Sequence, residues 1–404
     1  MVNLIGVWFF LSSGSFHKDI LPPILQYFMI VASIIFIMYM YKINKRSLIT
    51  YPFIMMMGWV IFSFVIKFIN DGVDFLSVEK LIVYACMIVG YITIACNFTP
   101  EKFIENVMYG CLAVLGVSII FAIVFPYWGV EQDKFFGSWR GIFDQKNALG
   151  RVTTISVFCA SYLYCLCKNS RQKSLYLAII IFSFIVCYYT GSRTSLAISV
   201  AIVVISLFLW KVLRIEKYNV NLVARIIFIL FFTLVFFMFM FFAYSETYGL
   251  HSGMDGVTIF GKNISLTGRL TIWFYAVSNT FQEHFFTGYG MDNFWTVKNY
   301  NYFGGMIGMG GFYPHDSHNG LVDLFVQTGC IGTLIYMTIM LTPLFTWRRK
   351  KVEINCVLMF LYMLIFFIFT NLTESYVTKS TNVINGMMLI CWFRVTLPRK
   401  FLKN

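Results

Sequence analysis

Two of the five histidines in the 404-residue chain, His315 and His318, stand three residues apart with Asp316 between them and Asn319 next. An imidazole titrates near neutral pH, so it can take a proton from a hydroxyl or bind a metal through a ring nitrogen. Three chemistries fit the cluster: a metal site of His315, Asp316 and His318, histidines that pack at a helix start, and a general base at His318. Metal sites draw on three or four ligands, and no third histidine is near in sequence; the base is the reading carried forward. Asp323, four residues after Asn319 and on the same helix face, is placed with Glu374 to orient the imidazole or to bind sugar hydroxyls. The cluster lies in Gly311-Phe312-Tyr313-Pro314-His315-Asp316-Ser317-His318-Asn319-Gly320, a Gly- and Pro-bearing turn that runs into the apolar stretch 321–345. That pattern predicts a helix start with Asp316 or Ser317 as N-cap, its positive end turned toward anions such as phosphate.

The elements that must position these residues are membrane spans. The chain is 59% hydrophobic and 12% charged, with mean hydropathy +0.75, where a soluble chain carries about 25% charged residues. The expected fold class is an all-α polytopic membrane protein of about twelve spans, near 3–16, 23–41, 50–69, 81–97, 107–126, 147–167, 174–190, 194–210, 226–245, 319–346, 354–370 and 380–397. Residues 1–404 read as a single transmembrane domain. Met1 to Phe16 lacks a basic start and a small-residue cleavage site, so no cleaved signal peptide is expected. The ten cysteines lie in or at the ends of apolar segments, which argues against a disulfide framework and against a zinc site.

Loop charge sets the orientation. Lys42, Lys45, Arg46, Lys168, Arg171, Lys173, Lys211, Arg214, Lys217, Arg348, Arg349 and Lys350 fall on one side, and most acids fall on the other. The positive-inside rule puts the basic loops and both termini in the cytoplasm. It also accounts for the net charge of +13 without a nucleic-acid partner. One long loop, 246–318, falls on the outer side. It holds an amphipathic stretch, Leu270 to Val277, for which short helices lying on the membrane surface as a lid are expected.

Four arginines break the rule by lying on or near the outer side: Arg140, Arg151, Arg193 and Arg269. Pairing with nearby acids such as Asp133 or Asp144 accounts for any one of them. Arg193, in the three-residue turn Gly191-Ser192-Arg193, and Arg269, at the head of the amphipathic stretch, are better placed for function. A guanidinium fork at a partly desolvated interface can grip two oxygens of a pyrophosphate at once. A second cluster, Trp139 to Arg151, includes Arg140, Lys146 and Asn147, with Asn147 a candidate cap for the following helix.

These same residues resemble a family. His318-Asn319, nine residues, Gly329, two residues and Gly332 are similar to the His-[Asn/Ser/Gln]-x9-Gly-x-x-[Gly/Thr/Tyr] pattern of the O-antigen ligase and Wzy polymerase superfamily. Ser192-Arg193 resembles its Ser-Arg turn, Gly268-Arg269 with Trp273 its Arg and Trp element, and Gly288-Tyr289-Gly290 its Gly-x-Gly element. The Trp139 to Arg151 cluster resembles a segment of ExoQ-type exopolysaccharide polymerases. The resemblance covers roughly residues 130–375 and implies an architecture related to the GT-C class, in the bacterial inner membrane, with 246–318 as a large periplasmic loop. It implies a metal-independent, inverting glycosyltransferase with no cofactor, whose donor is a glycan on undecaprenyl pyrophosphate. His318 would be the base and Arg193 and Arg269 the pyrophosphate clamp, with His315, Asn319, Arg140, Lys146, Asn147, Tyr289, Asp316 and Glu374 as further substrate contacts. A chain-length regulator and a flippase are the protein partners it suggests. The ExoQ-like segment favours a polymerase, which extends a lipid-linked repeat unit, over a ligase, which transfers the glycan to lipid A–core. A lipid-linked oligosaccharide transporter would show internal repeats, and none is visible in the sequence.

Overall fold

The computed structural model describes residues 50–132, 135–215, 257–259, 262–264, 269–296, 314–346 and 352–402, with positions 31 and 35. The expected spans at 3–16 and 226–245, and all but those two positions of 23–41, lie outside the described residues. The other nine expected spans each coincide with a helix: α1 Tyr51–Asp71, α2 Phe75–Asn97, α3 Pro100–Val124, α4 Lys146–Leu166, α5 Ser170–Thr190, α6 Arg193–Ile215 and, beyond the long loop, α8 Gly320–Thr346, α9 Ile354–Asn371 and α10 Val383–Thr396. Seven of these are long and apolar enough to cross a membrane; α6 and α10 contribute shorter apolar stretches, Arg193–Phe208 and Val383–Thr396.

Local chemistry sets the helix ends. Proline opens α3, where the Thr99 hydroxyl accepts from Lys102 N. Asp74, Asn169 and Asn382 cap α2, α5 and α10 by accepting from the backbone two or three residues on. Gly191 ends α5 in the left-handed conformation, φ 60°, and α6 starts two residues later. Burial sorts the helices by position. The most apolar windows of α4 and α8 are 78% and 72% buried, against 39% for α1, α2, α3 and α5, so α4 and α8 run inside the bundle.

Two features of the long loop differ from expectation. The amphipathic stretch is helical, as α7 Arg269–Glu283. Its apolar face is covered by protein: Ile272, Tyr275 and Ala276 pack with Val322, Phe325 and Val326 of α8. The expected surface helix is therefore docked on the helix that follows His318. The loop also contains an antiparallel ribbon, β1 Val257–Ile259 with β2 Lys262–Ile264, a small departure from an all-α chain.

The run expected as one unbroken span at 319–346 is interrupted. At Gly329 the backbone of α8 leaves helical geometry, with φ 61° and ψ −168°. The segment 284–291 fills the gap. Tyr289 N donates to Val326 O and Gly290 N to Gln327 O, both at 2.9 Å. In return Cys330 N donates to Phe285 O at 2.8 Å and Ile331 N to Phe286 O at 3.1 Å. A break inside a membrane helix orphans backbone groups that lipid cannot satisfy; these four bonds satisfy them. The two glycine motifs, Gly288-Tyr289-Gly290 and the first glycine of the His-Asn-x9-Gly pattern, Gly329, are thus the two halves of one backbone joint.

Candidate active site

Two loops meet at one end of the bundle, 314–319 before α8 and 372–382 between α9 and α10. Asn371 at the end of α9 accepts from Tyr376 N and Val377 N at 3.0 and 3.1 Å. Gly320 N donates to Glu374 O at 3.1 Å, and Asn319 N donates to Ser375 Oγ at 3.1 Å. Gly320 has no room for a side chain, since a Cβ there would lie 1.9 Å from Asn371 Oδ1. The cap of α8 is Asn319, whose Oδ1 accepts from Leu321 N at 3.0 Å and Val322 N at 3.3 Å. Asp316 and Ser317, the caps expected from sequence, do other work. Asp316 Oδ1 accepts from His318 N at 3.0 Å, closing a short turn that leaves His318 at φ 48°. Ser317 N donates to both carboxylate oxygens of buried Asp323, at 3.1 and 3.3 Å.

This lacing sets the imidazole between two acids. His318 Nδ1 lies 3.4 Å from Asp316 Oδ1 and 3.6 Å from Glu374 Oε2. Nδ1 is buried while the side chain is 39% exposed, so the exposed part of the ring is the opposite edge, which carries Nε2. The Glu374 carboxylate raises the imidazole above its ordinary range; burial opposes the rise and Asp316 adds to it. Burial would lift the Asp316 carboxyl, but Lys379, which donates to Asp316 Oδ2, and His318 outweigh it and hold it below its usual range. Burial and then His318, Arg151 and Arg269 act on Glu374 in the same opposed way, with the same net lowering.

Cations ring Glu374. Arg269 Nη1 donates to Thr373 O at 2.6 Å and Nη2 stands 3.4 Å from Glu374 Oε1. Trp273, one turn along α7, donates from Nε1 to Ser317 O at 2.7 Å, tying α7 to the His318 loop. The Arg151 guanidinium lies 4.8 Å from the Tyr376 ring centre. A small cleft opens beside Glu374, with Asn147 and Arg151 of α4 on one wall and Thr194 and Ser195 of α6 on another.

The structure thus brings His318, Asp316, Glu374 and Arg269 into direct contact and places Asn147 on the cleft. Arg193 is exposed at the first position of α6, next to the cleft-lining Thr194. His315 is exposed. Lys146, the first residue of α4, donates to Gly191 O at 3.4 Å and covers the Phe135 ring, so it braces the turn that carries Arg193. Gln145, and not Asn147, stands at the N-cap position of α4, without a side-chain bond. Arg140 donates to Trp128 O at 2.8 Å and Tyr127 O at 3.3 Å and lies 3.9 Å from Glu131. It closes its own loop. Tyr289 donates to Glu283 at 2.7 Å and meets the His284 ring at a tilt, on the backbone joint rather than in the carboxylate cluster. Sequence reasoning left Arg151 out of the site and did not single out Lys379 and Tyr376. For Lys379 the signal was present: it is another base among the loops that carry most of the acids, in the loop that holds Glu374. Among the described residues no group of three or more His, Cys, Asp or Glu side chains is arranged to hold a metal ion.

Residues 178–337 match the family model described as O-Antigen ligase. The match covers 160 of the 404 residues, and over this stretch the chain is similar to that family. The matched region runs from α5 into α8 and includes Arg193, Arg269 and His318; Arg151 and Glu374 lie beyond its two ends. This similarity is to membrane enzymes of the glycosyl-transferring ligase and polymerase type. No curated protein matches the chain.

Proposed function

We propose that the chain is a bacterial surface-polysaccharide polymerase of the inner membrane, which transfers a glycan from undecaprenyl pyrophosphate to a lipid-linked repeat unit at the periplasmic face. The observation that carries the reading is His318, with Nδ1 backed by Glu374 and Asp316 and its other edge open. The carboxylates fix the ring and stabilise the cation that forms when Nε2 takes a proton. The acceptor hydroxyl gives its proton to Nε2, and its oxygen bonds to the anomeric carbon. The bond from that carbon to the pyrophosphate oxygen breaks, and the electron pair leaves with the pyrophosphate. A single displacement of this kind inverts the anomeric centre and calls on no metal. Developing charge on the leaving group meets Arg193 and the positive ends of α4 and α6.

An apolar cleft between α8 and α9 supports a site for the lipid; it is lined by Leu321, Leu324, Met340 and Phe367 and reaches Asn371 and Val377 under the site. Its lining suits a prenyl chain whose headgroup lies at Glu374. Polymerase is preferred to ligase because the segment that resembles exopolysaccharide polymerases, 139–151, supplies one wall of the cleft. Glycan analysis of a strain lacking the gene tests the choice. Lipid A carrying a single repeat unit, with no polymer, is the expected result. Full-length polymer stranded on undecaprenyl pyrophosphate would instead identify a ligase.

A further inference from the structure

The resemblance hands the pyrophosphate to Arg193 and Arg269, yet a third arginine at this site has a buried nitrogen without a partner. Arg151 sits in the first turns of α4, four residues after Asn147 and on the same face. Both line the cleft beside Glu374. An arginine inside an apolar, membrane-crossing helix is costly unless it is paired or used. Arg151 Nε is buried without a hydrogen-bond partner. Among the described residues no carboxylate stands within 4.0 Å of its guanidinium. What holds the group is Tyr376, whose ring centre lies 4.8 Å away and whose hydroxyl hydrogen-bonds the guanidinium; Nε stays without a partner. Arg269 is the reverse case. Two of its nitrogens face protein oxygens, Thr373 O at 2.6 Å and Glu374 Oε1 at 3.4 Å, so its fork is engaged.

We propose that Arg151 is a pyrophosphate-binding residue of this site and that Arg269 is a positioning residue acting through Glu374. The assignment rests on the reading that the leaving group is a pyrophosphate. The cleft that Arg151 faces is also bounded by Thr194 and Ser195 in the first turn of α6. Backbone N–H groups and two hydroxyls there complete a cradle for phosphate oxygens. Arg269 fixes the carboxylate that backs the imidazole, and its positive charge restrains the upward shift of His318.

The test uses the full-length protein in detergent, with geranylgeranyl pyrophosphate as the probe. Binding is measured by calorimetry and thermal stability is measured without the probe. Arg151→Met and Arg151→Lys should weaken binding at least about tenfold, the loss of one charge-assisted hydrogen bond. Without the probe, Arg151→Met should unfold near the wild-type temperature, because the lost attraction to Glu374 is offset by removal of a buried charge that no carboxylate contacts directly. Arg269→Gln should keep binding within about threefold while moving the acid limb of the pH–turnover profile to higher pH. Intact binding in Arg151→Met with a lowered unfolding temperature would make Arg151 a structural residue and overturn the proposal. Binding lost in Arg269→Gln but kept in both Arg151 variants would overturn it too, returning the clamp to Arg269. If the wild type itself fails to bind the probe, the pyrophosphate reading falls and takes the assignment with it.

Discussion

Gly288 and Gly329 meet backbone to backbone: a Cβ on either would lie 2.5 Å from the amide nitrogen of the other. Both have positive φ, 69° and 61°. The joint fixes the return of the long loop into the break in α8, and so fixes the docking of α7 and Arg269 relative to His318. Either Gly→Ala exchange places a side chain in left-handed backbone, at about 1–2 kcal/mol, and overpacks the joint by about 1–3 kcal/mol more. Gly288→Ala and Gly329→Ala should therefore each destabilise the protein by roughly 2–5 kcal/mol. Because they damage one joint, the double variant should cost less than the sum. Thermal unfolding of all four proteins in one detergent measures both quantities; additive losses would show that the glycines act independently.

The pH dependence of turnover follows from the carboxylates behind His318. A general base works in its neutral form, so turnover should be low in acid and rise as the imidazole loses its proton. Glu374 and Asp316 raise the imidazole above its ordinary range, so the rise should come at higher pH than for an unperturbed histidine. Glu374→Gln removes the largest cause of the shift. Its acid limb should move to lower pH even though its maximal turnover falls, since the ring loses its orienting partner. An acid limb that stays put in Glu374→Gln would place the titrating group elsewhere.

The spans were legible because each is a long apolar run closed by polar or glycine residues, and nine of them coincide with helices. The break at Gly329 was not, because no local signal distinguishes one glycine in an apolar run from a packing glycine. Its cause is a loop some forty residues away in sequence. In the site, His318 and Arg269 were visible as motif residues. The role of Asp316 was misread as an N-cap because the Asp-Ser pair fits that pattern, whereas the helix starts only after Asn319. Arg151 was visible only as a charge on the unexpected side. Its contact with Tyr376 joins α4 to the loop before α10, and such long-range juxtapositions leave no periodic trace in a sequence.

Removing the imidazole separates proton transfer from donor binding. His318→Ala should lower turnover by a factor on the order of 10²–10⁴ with little change in donor KM, since a neutral base holds no pyrophosphate. Arg193→Lys keeps the charge but loses the two-pronged grip, and should act mainly on donor KM. Both measurements should be unaffected by EDTA. Activity abolished by chelation and restored by a divalent ion would revive the metal reading of His315, Asp316 and His318.

Asn319 distinguishes a cap from a substrate contact. Its side chain is buried at 1% exposure and its Oδ1 accepts two backbone N–H groups of α8. A cap of this kind contributes about 1 kcal/mol, and serine replaces asparagine well in that position. Asn319→Ala should therefore lower stability by about 1 kcal/mol and disturb the turn that sets His318. Asn319→Ser should restore most of the stability and leave more turnover than Asn319→Ala, because the hydroxyl can take over the bonds to Leu321 N and Val322 N. If the amide instead held a sugar, serine would be as inactive as alanine while matching the wild type in unfolding temperature. Thermal unfolding and turnover measured on the same two variants separate these outcomes.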